Sequence, residues 1–251
     1  NLVPLDKSNR DANTALRQSA INGNLRELKN LLGAKPNIRN VKDGAGKTLL
    51  MYAAMGGRTE VARYLIEQGV KRFEVDGARI SALDIAAENG WSEIVKLIAD
   101  KKAKGQLIAD QKTKAPSQKL QYSVAAVKAM AARHQDIAIH LLELGASVSM
   151  NKKSAPEKAL GFYSNECVEL AWWVQEEYSV KGNYSKDGAN FLHVTAGFAD
   201  APLLESLKAN GASPTEKTAK GITPLLMACK FGNRGAICWF MENGGRTDGA
   251  D

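Results

Sequence analysis

The sequence predicts an all-α protein, a solenoid of about seven helix-turn-helix repeats. Three observations lead there. Short apolar runs are bracketed by a capping residue in front and a glycine behind. That bracket recurs along nearly the whole chain, at intervals close to 33 residues. And each bracketed helix is too short to stand alone, since isolated helices below about 12–15 residues are marginal in water, so neighbouring copies must bury its apolar face.

The bracket is clearest in KGITPLLMACKFGN, residues 220–233. Thr223 can accept a hydrogen bond from the open amides of a first helical turn, as an N-cap does. Pro224 at the first helical position loses no bond, and its ring pushes Thr223 out of the helical region. Leu225, Leu226, Met227, Ala228 and Cys229 fill the helix, and Gly232 can adopt the left-handed conformation that stops it. NRGAICWFMENGG then gives a second helix ended by Gly244 and Gly245.

The other copies follow in chain order. The first, residues 12–41, carries Thr14, Leu16, Ala20, Gly23 and Leu31 at matching offsets. The second, 42–75, has Thr48, Leu50, Ala53, Ala54, Gly57, Val61, Leu65 and Gly69. The third, 76–102, has Ser81, Leu83, Ala86, Ala87, Gly90 and Ile94. In the fourth, 121–152, Arg133 replaces the hairpin glycine, while Leu141, Leu142, Gly145 and Ala146 hold the register. The fifth, 153–184, is degenerate: Pro156 and Val168 fit, Ser164 replaces the glycine, and Trp172 and Trp173 stand for the leucine pair. The sixth, 185–217, has Asn190, Leu192, Thr195, Ala196, Leu203, Leu207 and Gly211, and the seventh is 218–251. Hairpin positions thus fall at 23, 57, 90, 133, 164, 199 and 232, with spacings of 34, 33, 43, 31, 35 and 33 by subtraction.

This period, with its Thr-Pro-Leu, Ala-Ala and Gly-Ala anchors, resembles the ankyrin repeat, whose period is about 33 residues. The resemblance runs from about residue 12 to about 247 and makes residues 12–251 a single ankyrin-repeat domain. It implies two antiparallel helices per repeat, joined to the next repeat by a short hairpin-like turn that folds out at right angles. The residues agree: small Ala-Ala pairs let the first helices approach closely, and Val, Ile and Leu fill the layer behind. Stability is then a sum over repeats and their interfaces.

The spacing of 43 marks an insertion between the third and fourth repeats, residues 103–120. The net charge of +7 invites a nucleic-acid reading, but six lysines and one acidic residue between Lys101 and Lys119 supply +5 of it. The charge is local, so nucleic acid is not predicted as a partner. The insertion reads as a solvated loop, with a docking site for an acidic partner as the alternative. No run of 18 apolar residues is present, so no membrane span is predicted. No signal peptide is visible, and the chain opens at Asn1 rather than Met, as a trimmed or processed chain does. Cys167, Cys229 and Cys238 lie in apolar helical stretches, without the pairing of a disulfide framework or zinc site, which favours a reducing compartment such as the cytoplasm.

No motif points to catalysis or to a cofactor. GAGKT at 44–48 looks like the tail of a phosphate-binding loop, but Val41 stands where that motif needs a glycine. The repeat register instead places Gly46 in an inter-repeat turn and makes Thr48 a cap. His134 and His140 are six residues apart, on different faces of one helix. His193 occupies the family's Thr-Pro-Leu-His position, for which the resemblance implies a structural imidazole tying neighbouring turns. NYS at 183–185 matches a glycosylation acceptor, which matters only in a secreted chain.

The resemblance implies that partner contacts come from the projecting turns and from the two positions before the hairpin glycine, on the concave face. The position just before it reads Asn22, Gly56, Asn89, Ala132, Tyr163, Phe198 and Phe231: small or polar in the N-terminal four, aromatic in the C-terminal three. Tyr163, Phe198 and Phe231, with Phe162 and Lys230 beside them, are the predicted partner-binding ridge; the alternative is that the rings fill gaps between irregular repeats. The function predicted is protein–protein interaction, as an adaptor or scaffold binding one or more proteins. Alternatives are a bacterial inhibitor or immunity-type protein, a host-directed effector and, in another class, a nucleotide binder or enzyme using the GAGKT turn. The last helix is apolar on nearly every side, from Ala236 through Met241, which predicts cover by a partner or a second copy.

Overall fold

A computed structural model describes residues 7–34, 39–99, 118–146, 191–218 and 221–246. Among them are twelve α-helices and no strand beyond one isolated bridge, Val75 to Ser81. The chain divides into two compact units, Asn1–Gln121 and Tyr122–Asp251.

The first unit contains three hairpins: α1 (Lys7–Asn22) with α2 (Leu25–Ala34), α3 (Leu49–Met55) with α4 (Thr59–Glu67), and α5 (Ala82–Glu88) with α6 (Ser92–Ala99). Helices α1, α3 and α5 pack side by side in one row, and α4 packs on α6 behind them. Ala20, Ala53, Ala54, Ala86 and Ala87 have no exposed surface, as a close helix row requires. Leu16, Leu50, Leu65, Leu83 and Ile94 complete this core. Leu31, predicted at a core position, is only half-buried; Leu28 and Leu32 take its place.

Local capping starts the short helices as predicted. Thr48 accepts from the Met51 amide at 3.3 Å, and Ser81 from the Asp84 amide at 3.2 Å. The Asp84 carboxylate answers by accepting from the Ser81 amide and hydroxyl, both at 2.7 Å, a closed capping box. Thr14 is no cap, however: α1 begins at Lys7, because no proline or turn stops the helix from extending N-terminally. Helix α7 (Gln118–Ala131) begins before the predicted start of the fourth repeat at 121 and so overruns the predicted end of the lysine-rich insertion at 120. The rest of that insertion lies outside the described residues.

The second unit contains α7 from Tyr122 onward with α8 (Gln135–Glu143), α9 (Phe191–Thr195) with α10 (Ala201–Ala209), and α11 (Pro224–Phe231) with α12 (Arg234–Glu242). Thr223 caps α11, accepting from the Leu226 amide at 3.2 Å, and Leu225 is fully buried. The predicted fifth repeat, 153–184, and Asn190 lie outside the described residues. Helix α8 packs directly on α10, and the Asp200 amide donates to Gln135 Oε1 at 2.8 Å. The described hairpins of the fourth and sixth predicted repeats are therefore in direct contact. Neighbouring repeats in a solenoid bury each other's faces, and here two copies separated by 44 residues of chain between Ala146 and Phe191 do so.

Candidate functional site

Two sets of turns bound each hairpin. At the inter-repeat turns, the first residue folds its side chain over the backbone that follows. Asp43 Oδ1 accepts from the Ala45 and Lys47 amides at 2.9 and 2.8 Å, and Asp76 Oδ1 accepts from Ala78 and Ile80, both at 2.9 Å. Thr218 Oγ1 accepts from Ile222 at 3.1 Å. Each turn needs one left-handed residue, supplied by Gly46, Arg79 and Gly221. Successive turns are tied by the Gly77 amide, which donates to Ala45 O at 2.8 Å.

This geometry places GAGKT as an inter-repeat turn. The Gly46 amide donates to Asp43 O at 3.0 Å, so the amides of Ala45, Gly46 and Lys47 are all engaged within the turn rather than free to cradle a phosphate. Lys47 Nζ lies 3.6 Å from Asp76. Asp43 Oδ2 also accepts from the Tyr52 hydroxyl at 2.6 Å. Burial works to raise the Asp43 pKa, but Tyr52, the two amides and Arg17 outweigh it and hold the carboxyl below its ordinary range.

The hairpin turns carry the other register. Gly23, Gly57, Gly90 and Gly232 all have positive φ, and so does Arg133 at 63°, where the glycine is missing. In each, the next amide reaches back five residues: Arg58 to Ala53 O and Trp91 to Ala86 O, both 2.9 Å, and His134 to Ala129 O at 2.8 Å. The turn at 199 differs. Ala199 is not left-handed; its amide donates to Thr195 O at 2.8 Å and Asp200 caps α10, accepting from the Leu203 amide at 3.1 Å.

Sequence reasoning missed what the residue after each hairpin glycine does. It leans back on the preceding hairpin. Arg58 lays its stem over Gly23, where a Cβ would sit 2.9 Å from Cδ, and donates through Nε to Ile21 O at 2.9 Å. The Trp91 ring covers Gly57, where a Cβ would meet it at 2.8 Å. Asn233 donates to Ala196 O at 3.0 Å and Ala199 O at 2.9 Å. Gly23 and Gly57 thus serve two ends, the left-handed turn and room for the next repeat. The only sequence signal was the glycine itself.

Of the predicted ridge, Phe198 and Phe231 are half-buried at the tips of successive hairpins, and Lys230 is exposed. Each ring has a cation over it: Arg133 lies 5.7 Å from the centroid of Phe198, and Lys230 lies 5.7 Å from that of Phe231. Arg133 was not among the predicted site residues. Phe162 and Tyr163 lie outside the described residues.

His193 is buried in α9, with Nε2 3.1 Å from Ile222 O in the next inter-repeat turn. With a carbonyl facing it, Nε2 carries the proton. Burial pushes the imidazole below the ordinary histidine range, against the opposing pull of Ile222 O and Glu216. This imidazole ties neighbouring turns, as the resemblance implied. Among the described residues no cluster of His, Cys, Asp or Glu could hold a metal ion, and no helix is long and apolar enough to cross a membrane. The last helix is covered more fully than its sequence predicts. Ala236, Trp239 and Phe240 are buried, and the Trp239 indole donates to Glu205 Oε2 at 3.2 Å. Only Ile237, Cys238 and Met241 of the apolar run keep an open side.

A family model of ankyrin repeats matches residues 16–109, with three copies. Similar curated proteins include the human NAD-capped RNA hydrolase NUDT12, 37% identical over 89 residues, which are 36% of this chain and 19% of that protein. Mouse inversin is 31% identical over 85 residues, 34% of this chain and 8% of that protein. The chain thus spans a fifth or less of the length of these relatives. Among solved structures, an ankyrin repeat domain from Acinetobacter baumannii AYE is 19% identical with a TM-score of 0.59, over 92% of this chain and 98% of that one. A chain of the predatory endopeptidase from Bdellovibrio bacteriovorus in complex with an immunity protein is 21% identical with a TM-score of 0.56, over 91% and 97%. These helical hairpins, with their left-handed tips and side-chain-closed inter-repeat turns, have the fold of an ankyrin repeat domain, and residues 16–109 match the ankyrin-repeat family.

Proposed function

We propose that the chain is a protein-binding module without catalysis of its own, an adaptor or scaffold that engages a partner along the hairpin tips of its second unit. The observation that carries this reading is the pair Phe198 and Phe231, half-exposed at the same register of successive hairpins, each beneath a cation. Aromatic and arginine side chains of that kind dominate interface energetics, because they bury much area for little entropy. Lys230 belongs to the ridge with them. Phe162 and Tyr163 join it by sequence register only.

The test is a double substitution, Phe198→Ala with Phe231→Ala, measured by melting curve and by quantitative capture of partners. The ridge reading expects a midpoint close to the parent's and loss of specific partners, at about 1–4 kcal/mol for each truncated hot spot. Early melting with the same partners retained would make the rings gap-fillers instead. The immunity-type alternative draws on the shared fold with a chain of the endopeptidase–immunity complex. It expects the captured partner to be an enzyme whose activity falls on binding.

A further inference from the structure

We infer that the first unit carries a second protein-docking surface, centred on Met55, Arg58 and Trp91, that takes a segment presenting a single carboxylate beside an apolar side chain. Met241 aside, Met55 and Trp91 are the large apolar residues left exposed among the described residues, at 42% and 41%. They share one hairpin tip: the Trp91 ring rests on Gly57, two residues after Met55 and next to Arg58. The Arg58 guanidinium, from the residue next to Gly57, is held in place. Its Nε is fixed to Ile21 O at 2.9 Å and its stem is seated over Gly23, while its terminal amines make no other hydrogen bond or ion pair among the described residues.

An immobilised guanidinium with both terminal amines open matches the two oxygens of one carboxylate, and its ordering has already been met by the fold. The exposed thioether of Met55 and the indole resting on Gly57 offer area to an apolar neighbour of that carboxylate. Tryptophan and arginine are the residue types enriched in interface hot spots. The surroundings select against a polyanion. Glu60 and Glu93 are exposed here and already satisfy Arg63 and Lys96, and Glu88 is exposed three residues before Trp91. One uncommitted cation amid carboxylates suits one acidic side chain and repels a phosphate backbone. The sequence register overlooked this surface because Trp91 follows the hairpin glycine rather than preceding it. It is independent of the Phe198–Phe231 ridge.

The experiment pans the full chain against a displayed library of random short peptides, then measures a synthetic peptide of the enriched sequence by titration. Enriched sequences are expected to carry Asp or Glu within a few positions of Phe, Leu, Met or Trp. Arg58→Gln and Met55→Glu should each weaken the peptide at least about tenfold, while Phe198→Ala with Phe231→Ala leaves it unchanged. Met55→Glu changes an exposed side chain, so it decides the matter if Arg58→Gln lowers the melting midpoint. Enriched peptides without an acidic residue, binding that survives Met55→Glu, no enrichment at all, or displacement of the peptide by a single-stranded oligonucleotide would each overturn the inference.

Discussion

At Gly56 the backbone is in ordinary helical territory, with φ at −85°, so conformation does not ask for glycine there. Distance does. A Cβ would lie 2.1 Å from Ile21 O in the neighbouring hairpin, and backbone cannot swing aside as a flexible side chain can. Gly69 is the reverse case: φ is 76° and a Cβ would meet nothing within 4 Å. Gly69→Ala should therefore cost only the left-handed penalty of about 1–2 kcal/mol. Gly56→Ala should cost more, because it forces the α1 and α3 backbones apart in a close-packed row. Urea midpoints of the two variants test this, and an equal or smaller loss for Gly56→Ala would contradict the close approach. The sequence read Gly56 only as a small residue. The constraint comes from a carbonyl 35 positions earlier, and such a contact leaves no local pattern.

Among the elements, the features that were legible are those whose physics is local. Thr223, Pro224 and Ser81 could be read as helix starts because a cap acts on amides two or three residues away. The beginnings of α1 and α7 could not, since nothing in the sequence stops either helix at the expected residue. His193 joins the two kinds of information, a motif position and a buried bond to the next turn. Its folded pKa is depressed, so folding favours the neutral imidazole. That stabilisation is complete above the ordinary value of about 6.5 and is lost as pH falls below it toward the folded pKa. Asp43 and Glu74 are held below the carboxylate range, so they weaken only at lower pH, near and below about 4. Unfolding midpoints should thus be flat from about pH 8 to 7 and decline as the pH falls below about 6.5. His193→Gln should lower stability overall but flatten that decline. An unchanged slope in the variant would mean that another group titrates in this window.

At the scale of the whole chain, a register of hairpin positions says how many copies there are, not which of them touch. In a repeat array each unit is stabilised by its nearest neighbours, so the number of copies and their adjacency are separate facts. The seven positions were legible because glycine, alanine and leucine recur; adjacency was not, because every copy presents much the same faces. Contact of α8 with α10 brings described helices of the fourth and sixth copies together. With Cys167, Cys229 and Cys238 replaced by serine, Gln135→Cys and Asp200→Cys should be joined by a short bismaleimide, since the Asp200 amide touches the Gln135 side chain at 2.8 Å. Losing the Asp200 cap should cost about 1 kcal/mol, too little to unfold the hairpin. An interposed layer would instead hold the two sites apart by roughly two helix spacings of about 8–10 Å each, beyond a short linker. The readout is the linked peptide pair in a digest. Its absence, with both cysteines separately labelled by a monofunctional maleimide, would contradict the direct contact of α8 with α10.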